Sequence, residues 1–132
     1  MKSVRKDYKH SELTDKVISV FYHVYNALGY GFLEKVYVNA LIHELRKQGL
    51  TVQHKIPIKV YYDGVIVGEY EADLLVNNLL ILEIKAAEAI APEHEAQLIN
   101  YLRATKIEVG LILNFGPTPQ VRRKVYETAR QK

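Results

Sequence analysis

The stretch that decides the reading is Leu79-Leu80-Ile81-Leu82-Glu83-Ile84-Lys85-Ala86. A short, nearly continuous apolar run reads as a central strand buried on both faces. Charges inside such a strand are costly unless they are paired or bound to a metal ion. Glu83 and Lys85 stand two apart, so their side chains share a face.

Working toward the N-terminus, Glu69-Tyr70-Glu71-Ala72-Asp73-Leu74-Leu75-Val76 reads as the preceding strand. Register decides whether its Asp73 joins the other two charges. A two-residue turn at Asn77-Asn78 would pair Val76 with Leu79 and put Asp73 and Glu83 on opposite faces. A three-residue loop over 77–79 pairs Val76 with Leu80 and sets Asp73 across from Glu83. Asparagine tolerates the left-handed conformation such a loop needs, so the odd-numbered loop, or an equivalent bulge, is expected.

Further out, Leu13, Val17, Val20, Phe21, Val24 and Leu28 recur at three- and four-residue steps and predict a helix over 11–28. Gly29 and Gly31 stop it, and a second helix is expected over 33–48. The period then changes to two. Ile56, Ile58 and Val60 lead into an Asp63-Gly64 hairpin turn, with Pro57 marking an edge strand or a later strand start. After the Glu-x-Lys strand come a helix over 92–104, an apolar strand over 109–114 and a short basic helix over 120–130. The expected order is ααβββαβα: an α+β sandwich with a mixed sheet of four to five strands flanked by helices.

The 132 residues are 48% apolar and 25% charged, which suits one globular domain over 1–132. Cysteine is absent, which excludes disulfides, thiol nucleophiles and sulfur-ligated zinc. No apolar run has the length of a membrane span, and the charged first ten residues do not resemble a secretory signal, so a soluble cytoplasmic protein is expected. The net charge is +3, with basic tails: residues 1–10 carry +3 and residues 117–132 carry +4 around an acidic middle. That distribution suits a polyanion binder whose centre holds cations, and equally a protein with solvated ends.

Two carboxylates and a lysine converging on one strand face suit Mg²⁺ or Mn²⁺, which prefer oxygen ligands and retain waters. Such a metal polarises a phosphodiester oxygen and acidifies its water, while the lysine orients or deprotonates that water. The plainer alternative is a buried Asp73–Lys85–Glu83 ion-pair network that only stabilises the sheet. Two other groups bear on the choice. Glu34 opens the second helix with Tyr37 three residues on, where dipole complementation and core packing would also explain them. Gln97 and Tyr101 lie four apart on one helix face, preceded by His94. The five histidines have no metal-ligand spacing, and neither a phosphate-binding loop nor a nucleophile elbow is present. Arg122, Arg123 and Lys124 could hold a nucleic-acid backbone or form a solvated helix face.

At this point a family resemblance emerges. Gly31-Phe32-Leu33-Glu34-Lys35-Val36-Tyr37 matches the motif that names the GxxExxY protein family. The strand over 69–76, the Asn77-Asn78 turn and Glu83-Ile84-Lys85 are similar to that family's PD-(D/E)XK nuclease core. Gln97-x-x-x-Tyr101 resembles the signature following the Glu-x-Lys strand in RecB-type nucleases. The similarity spans about residues 14–116. It implies a restriction-endonuclease-like core in which Asp73, Glu83 and the Ile84 carbonyl ligate Mg²⁺ or Mn²⁺. It also implies that Glu34 adds a carboxylate directly or through water, that Lys85 is the catalytic lysine, and that Gln97 and Tyr101 position lysine, water or phosphate. Ala72 stands where the superfamily name has proline.

The expected function is therefore a metal-dependent phosphodiesterase acting on nucleic acid, most simply DNA. The alternative is a non-catalytic nucleic-acid-binding or accessory module with the same fold. So small a chain has little room for a recognition element, so a homodimer or a larger protein partner is a further expectation.

Overall fold

Asp63 and Gly64 (φ 54° and 74°) and Asn77 and Asn78 (φ 53° and 56°) occupy the left-handed region, where the chain folds back twice in succession. Those two reversals build the centre of the molecule. The computed structural model describes residues 9–127. Its elements are α1 (Ser11–Leu28), α2 (Glu34–Lys47), β1 (Val52–Tyr62), β2 (Val65–Val76), β3 (Leu80–Lys85), α3 (Pro92–Ala104), β4 (Val109–Phe115) and β5 (Pro119–Val125). The sheet order is β1-β2-β3-β4-β5, antiparallel throughout except for the β3–β4 pair. The parallel pair needs a crossover, and α3 supplies it.

The helices sandwich the sheet. Val17, Phe21 and Val24 of α1 and Tyr37, Leu41 and Leu45 of α2 pack with Leu80, Leu82 and Ile84 of β3 and Leu111, Leu113 and Phe115 of β4. Leu98, Tyr101 and Leu102 of α3 pack with Ile81 and Ile112 from the other face. Because β3 is covered on both sides, its odd and even positions are equally apolar, save for Glu83 and Lys85 toward its end. β1 is one of the two edge strands, a place that tolerates the missing N–H of Pro57. No helix among the described residues is long and apolar enough to cross a membrane.

Val76 pairs with Leu80, so the loop over 77–79 has the three residues that the Asp73–Glu83 argument requires. Asn77 anchors it: its Oδ1 accepts from the Thr51 N–H at 2.8 Å, and its own N–H donates to the Thr51 carbonyl at 2.8 Å. The outer hairpin adds a feature that alternation does not predict. Val52, Leu74 and Val76 pack with α1 and α2, whereas Ile56, Ile58 and Ala72 pack with α3. All six are even-numbered, so the ribbon changes face within its length. The change falls where the ladder skips Lys55 (φ 59°) and Asp73, between His54↔Leu74 and Ile56↔Ala72.

The chain end corrects one expectation. The basic helix over 120–130 is instead strand β5, antiparallel to β4, and positions 128–130 lie outside the described residues. Every residue of β4 is buried, and its outer backbone groups need partners that a helix cannot supply. A period of two fits these residues as well, since Gln120, Arg122 and Lys124 alternate with Val121, Arg123 and Val125. Of the basic tails, residues 1–8 and 128–132 lie outside the described residues, while 117–127, with Arg122, Arg123 and Lys124, are described.

Gly116, just past β4, carries a steric constraint. A Cβ there would lie 2.3 Å from the Ala87 carbonyl oxygen, a backbone atom in the loop that follows Lys85. Gly116→Ala is expected to lower stability by about 1–3 kcal/mol through overpacking. A thermal melt checks this, and an unchanged Tm would mean that the loop yields freely.

Candidate active site

The interrupted ladder at Asp73 is where the site begins. With Asp73 skipped by the backbone pairing, its carboxylate takes over as acceptor, and the Ile84 N–H donates to Oδ2 at 2.7 Å. Reciprocally, the Asp73 N–H donates to Glu83 Oε2 at 3.0 Å. Two carboxylates, ten residues apart in sequence, are thereby each held by a backbone N–H of the adjacent strand. The two bonds fix the orientation of both side chains.

The electrostatics follow from that enclosure. Glu83 is 4% exposed. Burial, then the neighbouring Asp73 charge, push its pKa up to about 8, and Lys85 only partly offsets them. Burial likewise raises Asp73, against the Ile84 N–H bond and the Lys85 and His54 charges that lower it. Tyr101, buried on α3, is pushed up to about 12, first by burial and then by the charges of Glu83 and Asp73. Its hydroxyl also bonds Gln97 and lies 3.4 Å from the Glu71 carbonyl. Glu34 is exposed at the start of α2, yet its charge still reaches Glu83. Glu34, Asp73, Glu83, Lys85, Gln97 and Tyr101 are thus linked in one neighbourhood drawn from α2, β2, β3 and α3.

The Gly31-x-x-Glu34-x-x-Tyr37 run has a clear local role. Tyr37 is fully buried, as core packing requires, and its ring stacks on Phe115 at 4.2 Å. Its hydroxyl donates to the Gly29 carbonyl at 2.7 Å and accepts from the Phe32 N–H at 3.1 Å. Gly31, at φ 120°, takes a conformation that L side chains rarely adopt. Tyr37 therefore pins the loop whose last step delivers Glu34.

The donor set fits a hard divalent cation. Two carboxylates confined together repel unless a cation or a proton intervenes, and Ile84 lies beside both with its carbonyl as a further oxygen. Among the described residues no three His, Asp or Glu side chains form a ready-made cage. An ion held by only Asp73, Glu83 and one carbonyl would keep positions for water, as Mg²⁺ commonly does.

The Arg122-Arg123-Lys124 cluster does not form one surface. Arg122 and Lys124 both pair with Glu95 of α3, while Arg123 donates to the Lys9 carbonyl at 2.8 Å. A strand splits neighbours between faces, which a helix reading of the cluster conceals.

Several contributors do not stand out in the sequence. Asn114, fully buried opposite Lys85 in the β3–β4 register, accepts from the Ala87 N–H at 2.9 Å and donates to its carbonyl at 3.0 Å. It fixes the chain as it leaves Lys85. A polar residue ending an otherwise apolar strand is the available signal. His54 and Glu71 bring charge to Asp73 from β1 and β2. Glu71 could be found by its two-residue spacing from Asp73. His54 requires the skipped ladder position.

A mixed sheet whose antiparallel hairpin feeds a parallel pair, with Asp and Glu-x-Lys at its centre, defines a restriction-endonuclease-like α+β protein. The family model described as the PD-(D/E)XK nuclease superfamily matches residues 11–125, and the chain belongs to that superfamily. Members of that superfamily are generally nucleases, typically metal-dependent. The crystal structure of SSO0001 is similar in fold, with a TM-score of 0.57 and 20% identity over 89% of this chain. The chain spans 59% of that protein's length. No curated protein matches it.

Proposed function

We propose that this protein is a Mg²⁺- or Mn²⁺-dependent nuclease cutting phosphodiester bonds in DNA, of the GxxExxY type marked by Gly31, Glu34 and Tyr37. The observation that carries the reading is the reciprocal bonding of Asp73 and Glu83 to each other's strand, with Lys85 on the same strand as Glu83. Asp73, Glu83 and the Ile84 carbonyl would hold the ion, and Glu34 would reach it directly or through water. The bound metal would polarise a phosphate oxygen and lower the pKa of its water.

The remaining roles fall to the chain's own groups. Lys85 orients the attacking water and offsets charge on the phosphate. Gln97 holds the Tyr101 hydroxyl, and a tyrosine kept protonated by its surroundings donates a hydrogen bond at any ordinary pH. A cytoplasmic setting and a homodimer or larger partner complete the proposal.

Titration calorimetry with Mn²⁺ tests it without a guess at the substrate. Saturable binding is expected for the wild type and none for Glu83→Ala. Equal binding by both proteins would place the ion elsewhere and overturn the assignment.

A further inference from the structure

Beside the site, the outer hairpin and α3 enclose an open groove of about 410 Å³, lined by Val60, Tyr70, Asn100, Arg103 and Ala104. Its wall is continuous with the candidate active site, because the Tyr70 ring packs against Tyr101 at 5.8 Å between centroids. Tyr101 in turn bears the charges of Glu83 and Asp73. Tyr70 nevertheless keeps 44% of its surface exposed. The lining combines an aromatic face, a small apolar floor, an amide with both donor and acceptor, and a guanidinium. Arg103 is held with its guanidinium 5.8 Å from the Tyr126 ring centroid. Those are the groups that receive a nucleobase and its phosphate: a ring for stacking, an amide for the base edge, a cation for the backbone. An apolar peptide would leave Asn100 and Arg103 without use.

We propose that this groove binds one unpaired nucleotide of the substrate strand, flanking the bond to be cut, with its base on Tyr70 and its phosphate at Arg103. The inference rests on the nuclease reading above and extends it to a substrate class. A base inside a duplex has its faces covered by neighbours, so the groove selects single strands or frayed ends.

The test uses a Lys85→Ala background, so that strands remain intact, and fluorescence anisotropy of a labelled ten-nucleotide oligothymidylate and of its duplex. Tyr70→Ala is expected to weaken single-strand binding roughly 5- to 100-fold, as loss of one stacked base would. Tyr70→Phe should stay within about twofold. Arg103→Ala should reduce the slope of log affinity against log salt by about 0.7, one phosphate's worth. Mn²⁺ binding by Tyr70→Ala should be unchanged. If single strands bind and neither substitution matters, or if the duplex loses as much, the groove assignment falls while the nuclease reading stands. Loss of Mn²⁺ binding in Tyr70→Ala would make the residue a support for the metal centre and overturn the subsite. If no variant binds either nucleic acid, the function itself fails and the inference with it.

Discussion

Lys85→Ala should leave the fold and the Mn²⁺ site in place and reduce cleavage about 10²- to 10⁴-fold, the range for losing a positioned acid–base group or a preorganised charge. Lys85 is half-buried at the last position of β3, and its ammonium charge acts on both Asp73 and Glu83. Truncation removes the positive charge that acts on Asp73 and Glu83 and would leave both carboxylates to the metal. Single-turnover cleavage of DNA with Mn²⁺, alongside circular dichroism and calorimetry, checks the three parts together. Full cleavage by Lys85→Ala would remove the lysine from the chemistry. Nucleic-acid binding without cleavage, even by the wild type, would favour a non-catalytic module that keeps the fold.

The second large effect concerns stability without metal. The folded-state pKa of Glu83 is about 8 against an ordinary 4.5, so folding favours its protonated form. A group raised in this way contributes stability that is complete below about pH 4.5 and is lost as pH rises through about 8. Glu83→Gln mimics the protonated carboxyl, and its side-chain oxygen can still accept from the Asp73 N–H. The variant should therefore melt higher than the wild type at pH 8–9 in EDTA, by on the order of 2–4 kcal/mol, and should match it near pH 4. Excess Mn²⁺ should reverse the order, because only the wild type gains the binding energy. A purely structural Asp73–Lys85–Glu83 network makes the opposite prediction: Glu83→Gln would strand a partly buried lysine and cost several kcal/mol.

Much of this was legible in the sequence because the informative positions break a local rule. Glu83 and Lys85 interrupt an apolar strand, and Asn77-Asn78 permits the three-residue loop that brings Asp73 across from Glu83. The bounds of α1 and α3 followed from apolar spacing and from Gly29 and Pro92. The rest depended on tertiary pairing. Residues 119–125 fit a basic helix or a strand of period two, and the unpaired edge of β4 decides for the strand. The change of face at Lys55 and Asp73 leaves no trace in alternation, since every residue involved keeps even parity. Tyr37 was readable as core. Its grip on Gly29 and Phe32 needed the loop's path.

The Asp73 carboxylate stands in for a missing rung of the sheet, and this governs how genetic data at that position would read. An alanine allele removes the carboxylate proposed to hold the metal and also leaves the Ile84 N–H buried without an acceptor, which costs about 1–3 kcal/mol. A null phenotype from Asp73→Ala therefore mixes lost chemistry with lost protein. Asp73→Asn keeps an acceptor for Ile84 while removing the charge, so it is the allele whose phenotype speaks for catalysis alone.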